Sequence, residues 1–156
     1  MSIIIFILII MMLIGGGMGS TAGGIKLERV YLIAKATVRE IILRIKGERN
    51  IYTIKIDDEN GVVHAEESDI KEAFFYGQCF IILFLLGSYL LSITENVPLL
   101  SASFEFASAL ATTGLSASVI GPNTSSWGLI ITALGMFIGR LEIFVIVKAI
   151  MGRKEI

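Results

Sequence analysis

Ser101-Ala102-Ser103-Phe104-Glu105-Phe106-Ala107-Ser108-Ala109-Leu110-Ala111-Thr112-Thr113-Gly114-Leu115-Ser116 is the stretch on which the fold turns. Residues Ser101 to Leu110 suit a helix of about 15 Å at 1.5 Å per residue, half of a ~30 Å hydrocarbon core. Either Ser101 or Ser103 is placed to cap it. Ala111 to Ser116 is small and polar, with no helical pattern. Such a segment can enter a bilayer, but it cannot cross and return as a full span.

Its surroundings are those of a membrane protein. The chain of 156 residues is 54% hydrophobic and 17% charged with a net charge of -1, and its mean hydropathy is +0.80. Soluble domains run near ~25% charged, so this balance excludes an ordinary cytosolic enzyme. Of the 27 formal charges, 19 fall between Lys26 and Glu72, and Met1–Ile25, Ala73–Thr94 and Phe106–Gly139 carry none. Ala73 to Thr94 and Trp127 to Ile150 each reach the roughly 20 residues that a spanning helix needs. The order helix, half-helix, extended turn, helix outlines a re-entrant pore loop on one side of the bilayer.

Charge sets the expected orientation. Lys26 to Lys55 carries eight Lys/Arg against three Glu, and Ile56 to Glu72 carries seven Asp/Glu against one Lys. The positive-inside rule places residues 26–72 in the cytoplasm, and Lys148, Arg153 and Lys154 return the C-terminus there, so Leu99 to Ser126 belongs to the outer side. Within the charged loop, Ile51 to Ile56 alternates, Asp57 to Gly61 reads as a turn and Val62-Val63 follows; a short hairpin and a solvated connection both fit.

Ser2 to Ile14 is almost wholly Ile, Leu, Met and Phe, yet thirteen helical residues reach only about 20 Å. The run enters Gly15-Gly16-Gly17-Met18-Gly19-Ser20-Thr21-Ala22-Gly23-Gly24, and a helix-favouring sequence resumes from Ile25 to Lys46. Irregular backbone at membrane depth must be buried in protein or line a watery cavity. With no basic n-region and no small-residue cleavage site, the N-terminal run is expected to be mature structure.

Several single residues stand out. An arginine such as Arg140, about a dozen residues from either end of its span, is costly unless it faces a cavity or a partner. Glu142 is two positions away and does not share its helix face; it can bond a neighbouring helix or tune a cation field. Glu105 can satisfy amides behind the turn or concentrate cations near a mouth. Lys26 marks either the meeting of the glycine loop with water or an interfacial snorkelling position. His64 reads as a solvated side chain, the single cysteine Cys79 as a packing residue that allows no internal disulfide, and Asn123-Thr124-Ser125 as a sequon whose use depends on the host.

Selective potassium binding uses backbone carbonyls that replace the hydration shell, presented by an extended strand after a short pore helix. Thr112-Thr113-Gly114 has that character: threonine offers carbonyl and hydroxyl oxygens, and glycine turns its carbonyl without a Cβ clash. Taken with its flanks, the chain resembles the C-terminal quarter to third of the membrane subunit of the Trk/Ktr/HKT superfamily of potassium-uptake proteins. The resemblance covers nearly all of the chain and rests on three motifs in order. They are Ile14 through the glycine run to Ile25-Lys26, Phe104-Glu105 leading to Thr112-Thr113-Gly114-Leu115-Ser116, and Met136-Phe137-Ile138-Gly139-Arg140-Leu141-Glu142.

The resemblance implies an all-α membrane protein whose pore is built from four potassium-channel-like helix, pore-loop, helix repeats, here preceded by a glycine-broken transmembrane helix. Residues 1–46 would be the broken second helix of the third repeat, with an intramembrane gating loop at 15–24 that includes Gly15, Gly16, Gly17, Gly19, Ser20, Thr21, Gly23 and Gly24. Residues 47–72 would be a cytoplasmic charged loop. Residues 73–150 would be the fourth repeat, with helix 73–94, pore helix 101–111, filter 112–116 and helix 127–150. Thr112, Thr113, Gly114 and Leu115 would form one filter strand, with K+ on the carbonyls of Thr112, Thr113 and Gly114, and Arg140 would project toward the loop. Further expectations are a multi-pass location in the cell membrane and no cofactor beyond the transported K+. As partners the resemblance implies the missing N-terminal pore repeats or a longer chain, a homo-oligomer of the full transporter, and a cytosolic nucleotide-binding regulatory subunit docked on residues 39–72; no nucleic acid is expected.

Two other classes of function compete with this reading. Gly17-Met18-Gly19-Ser20-Thr21-Ala22 fits a dinucleotide fingerprint, with Glu40 about twenty residues on. However, the preceding apolar run is too long for a strand and no βαβ alternation follows. A Walker loop fails because Ile25 separates Gly24 from Lys26 and Leu27 stands where Ser or Thr is needed. The other alternative accepts the membrane topology and reads a truncated or split-gene product, or an accessory protein without transport of its own, since one pore loop cannot enclose an ion path.

Overall fold

The computed structural model describes residues 2–17, 20, 23–46, 55–58, 61–64 and 67–140. Apart from one hairpin these form helices: α1 (Ser2–Ile14), α2 (Leu27–Lys46), α3 (Glu67–Glu95), α4 (Leu99–Leu110) and α5 (Ser126–Arg140), with strands β1 (Lys55–Asp58) and β2 (Gly61–His64) between α2 and α3.

α1 and α2 are one interrupted helix. Ile25 donates its N–H to Leu13 O at 2.9 Å and Lys26 to Ile14 O at 2.9 Å. In an unbroken helix residues 17 and 18 would fill those places, so the chain makes an excursion and resumes with its register shifted by eight residues. α2 starts at Leu27 rather than the expected Ile25, because Gly24 (φ +101°) and Lys26 (φ +73°) are left-handed and end the excursion outside helical geometry.

The hairpin is antiparallel, pairing Lys55 with His64 and Asp58 with Gly61. Residues 51–54, where the alternation begins, lie outside the described residues. α3 begins at Glu67, six residues ahead of the expected Ala73. Glu67 and Asp69 occupy its first turn, where acidic groups meet the positive end of the helix dipole. Among the described residues α3 is the one helix long and apolar enough to cross a membrane, about 43 Å from end to end.

α4 forms the centre. It runs from Leu99 to Leu110 instead of 101–111, and its N-cap is Pro98, with no side-chain cap. Neither Ser101 nor Ser103 serves, because Pro98 reaches the helix first and its carbonyl accepts from the N–H groups of Ser101 (3.0 Å) and Ala102 (3.1 Å). Every residue from Phe104 to Ala111 is buried. One cluster packs Phe106 and Leu110 with Tyr76, Phe80 and Leu91 of α3. A second sets Phe104, Ala107 and Ala111 against Ile9 and Met12 of α1. Within a bilayer such contacts rest on close packing, since lipid tails are as apolar as leucine, and small residues let backbones approach. Gly87 of α3 and Gly135 of α5 supply that approach: a Cβ at either would overlap the Phe106 ring. The apolar side chains left outward, such as Ile81, Leu85 and Phe137, are suited to lipid or to neighbouring helices.

α2 lies along the first half of α3, with the Arg29 guanidinium 4.2 Å from the centre of the Tyr76 ring. At the opposite end the Glu95 carboxylate accepts the N–H and hydroxyl of Ser125, and the Ser125 hydroxyl accepts from Gly128 N–H at 3.0 Å, capping α5. The rest of the expected helix to Ile150, with Glu142 and Lys148, lies outside the described residues, as do Arg153 and Lys154.

Candidate functional site

α4 ends in a tight turn. Ala111 donates to Ala107 O at 2.8 Å, Thr112 to Ala109 O at 3.1 Å and Thr113 to Ser108 O at 3.0 Å. Thr112 (φ +53°) and Gly114 (φ +79°) are left-handed, whereas Thr113 between them is not. A β-branched residue in that region is rare and costs about 1–3 kcal/mol, so the surroundings must hold it there. At Gly114 a Cβ would meet nothing within 4 Å; the glycine serves backbone conformation, not room.

Two side chains fix the ends of this turn. Thr113 Oγ1 donates toward Ser108 Oγ at 3.1 Å and lies 3.2 Å from Met12 Sδ, which ties it toward α1. Glu105, buried in α4, accepts from the Ser116 hydroxyl at 2.9 Å, Ala117 N–H at 2.8 Å and Val119 N–H at 3.4 Å. Of the two roles open to Glu105 on sequence, the structure shows the anchoring one: a buried carboxylate matched with several donors.

A groove of about 550 Å³ runs beside the turn, lined among others by Thr112, Gly114, Leu115, Thr132, Met136 and Arg140. Three of the four expected filter residues thus share one concavity with the arginine; Thr113 does not line it. Gly139 brings α5 against α4 just before Arg140, since a Cβ there would overlap Leu110 O. The C-terminal carbonyls of α4 carry a fractional negative charge of roughly half an electron, which favours a cation near Thr112. Among the described residues no cluster of three His, Cys, Asp or Glu forms; the one carboxylate lining the groove, Glu105, is engaged by Ser116, Ala117 and Val119.

The glycine loop approaches the same helix end. Gly23 donates its N–H to Ala111 O at 3.0 Å and to Thr112 Oγ1 at 3.3 Å. Gly15 and Gly24 lie backbone to backbone: a Cβ on Gly24 would stand 2.9 Å from Gly15 N. Gly16 O accepts from Leu27 N–H, and Gly17 O from Ser20 N–H at 3.1 Å. Gly19 and Thr21 lie outside the described residues. No described loop residue lines the groove; the loop meets the site through Ala111 and Thr112.

Sequence reasoning missed Ala111 as the loop's acceptor and the Gly87–Phe106–Gly135 packing. The Gly135-x-x-x-Gly139 spacing, a small-residue pattern of close helix contacts, was the available signal for the α4–α5 approach.

A broken helix and a turn of small residues thus gather at the end of a buried half-length helix. The TrkH family, described as cation transport protein, matches residues 1–153, and the chain belongs to it. It is 33% identical over 144 residues to an uncharacterized cation transporter of Methanocaldococcus jannaschii, covering 91% of this chain and 29% of that protein. It is also 33% identical over 133 residues to the Ktr system potassium uptake protein B of Bacillus subtilis (85% and 27%). To the Trk system potassium uptake protein TrkH of Halomonas elongata it is 26% identical over 155 residues (91% and 29%). The chain therefore spans less than a third of the length of these relatives.

Proposed function

We propose that this chain supplies one filter strand, the gating loop and a pore arginine to a potassium-uptake pathway. K+ sheds water onto the carbonyls of Thr112, Thr113 and Gly114, with Leu115 completing the strand. The loop from Gly15 to Gly24 opens or blocks the path below, and Arg140 opposes cation passage until the loop moves. No covalent chemistry is involved. The observation that carries this reading is the groove shared by Thr112, Gly114, Leu115 and Arg140 at the negative end of α4.

In this reading α3, α4, the turn and α5 form the fourth helix, pore-loop, helix repeat, and α1–α2 the broken helix of the third. Residues 26–72 and the C-terminus face the cytoplasm, where 39–72 receive a nucleotide-binding regulatory subunit. One pore loop cannot enclose an ion path, so the remaining repeats complete it, on the same polypeptide or another, in a homo-oligomer of the full transporter.

The test is K+-dependent growth of a potassium-uptake-deficient cell expressing this chain alone and beside a chain carrying the remaining repeats. Growth only with the partner is expected. Growth with this chain alone would show self-assembly into a pore, and no growth in either case, with both chains in the membrane, would favour a fragment or an accessory protein.

A further inference from the structure

The Gly23 N–H is divided between two acceptors on α4: the Ala111 carbonyl at 3.0 Å and the Thr112 hydroxyl at 3.3 Å. Thr112 is also the β-branched residue held left-handed, at φ +53°, a conformation that lasts only where neighbours impose it. We propose that the Thr112 hydroxyl is a positioning group that ties the filter strand to the glycine loop, and is not a ligand of the ion. This rests on the filter and gating readings above.

The consequence is a mechanical link. While Gly23 stays in place, it satisfies the Ala111 carbonyl and helps hold Thr112 in its strained conformation. When Gly23 withdraws, the carbonyl is released toward the path and Thr112 loses one of its restraints, so opening of the loop and loosening of the strand's first turn occur together. Because coupling between sites is reciprocal, K+ on the strand biases the loop as strongly as the loop biases the strand.

The test uses the assembled transporter. Thr112→Val deletes the hydroxyl and keeps the β-branched shape; Thr112→Ser keeps the oxygen. Loop exposure is read as the thiol-modification rate of Ser20→Cys in a Cys79→Ala background, beside K+ flux per molecule and the half-saturating K+ concentration. Loss of one neutral hydrogen bond is expected to raise both flux and modification rate about threefold to tenfold in Thr112→Val, with half-saturation changed by less than about twofold, and Thr112→Ser is expected to restore the original rates. A rise in half-saturating K+ with unchanged modification would make the hydroxyl an ion ligand and overturn the proposal, as would no change in any readout. Gly23→Ala separates this from failure of the gating reading, because its Cβ would stand 2.9 Å from Ala111 O and displace the loop whatever Thr112 does. If Gly23→Ala leaves flux unchanged, the gating reading falls; if it raises flux and Thr112→Val does not, only the coupling falls.

Discussion

Gly139 of α5 lies so close to Leu110 of α4 that any side chain at 139 would strike the Leu110 carbonyl. The contact holds the helix that carries Arg140 against the end of the helix that leads into Thr112. Gly139→Ala must therefore push α5 outward. Overpacking of this kind costs about 1–3 kcal/mol, and we expect a lower midpoint in detergent unfolding together with altered flux. An unchanged midpoint would mean that the two helices separate freely at this point.

Glu105 holds the return segment from three donors, Ser116, Ala117 and Val119. Glu105→Ala takes away the acceptor of the Ala117 and Val119 amides, at about 0.5–1.5 kcal/mol for each hydrogen bond lost, since Ala117 is exposed and Val119 only partly buried. Glu105→Gln keeps an acceptor oxygen and removes the charge. Lower stability and weaker K+ over Na+ discrimination are expected in the alanine variant, with the glutamine variant between it and the parent, read by thermal unfolding and paired Rb+/Na+ flux. Equal losses in both variants would instead assign the effect to the negative charge.

The sequence was most legible where one physical constraint acted alone. Ser2–Ile14 has the same bounds as α1, because apolar residues simply stop at Gly15. Boundaries drifted where tertiary contacts decide them: Pro98 displaced the serines as the start of α4, and Glu67 carried α3 beyond the apolar run into charged sequence. The site was legible as a set of types but not as an arrangement. Thr112, Gly114 and Leu115 share a groove with Arg140, while Thr113 bonds toward α1. Ser108 lies within a few residues of both threonines, and the partners that tell them apart, Met12 for Thr113 and Gly23 for Thr112, are distant in the chain. The hydrogen bond from Gly23 to Ala111 joins residues far apart in the chain, and a single sequence carries no pairing signal of that range.

Gly114 adopts φ +79° with open space around the position of a Cβ. Gly114→Ser therefore meets no clash and pays only for conformation, about 1–2 kcal/mol for an L-residue held left-handed. Relief of that strain turns the carbonyl away. K+ over Na+ discrimination in the assembled transporter is expected to fall by up to about tenfold, with protein amounts in the membrane preserved. Unchanged selectivity in paired flux measurements would remove Gly114 from the filter.

Arg140 is exposed and lines the groove that Thr112 and Gly114 also line, after 34 uncharged residues. A guanidinium at mid-span costs about 2.5–3.5 kcal/mol on insertion scales, and that is the depth at which the sequence pattern expects Arg140. If its role is to oppose cations below the filter, Arg140→Ala removes the barrier and basal K+ flux per molecule rises, whereas Arg140→Lys retains the charge and stays near the parent. The two variants separate charge from packing, since lysine keeps the former and changes the fork geometry of the latter. A fall in membrane-inserted protein with constant flux per molecule in both variants would make Arg140 a structural residue, and the groove would then have to exclude or admit cations through the loop alone.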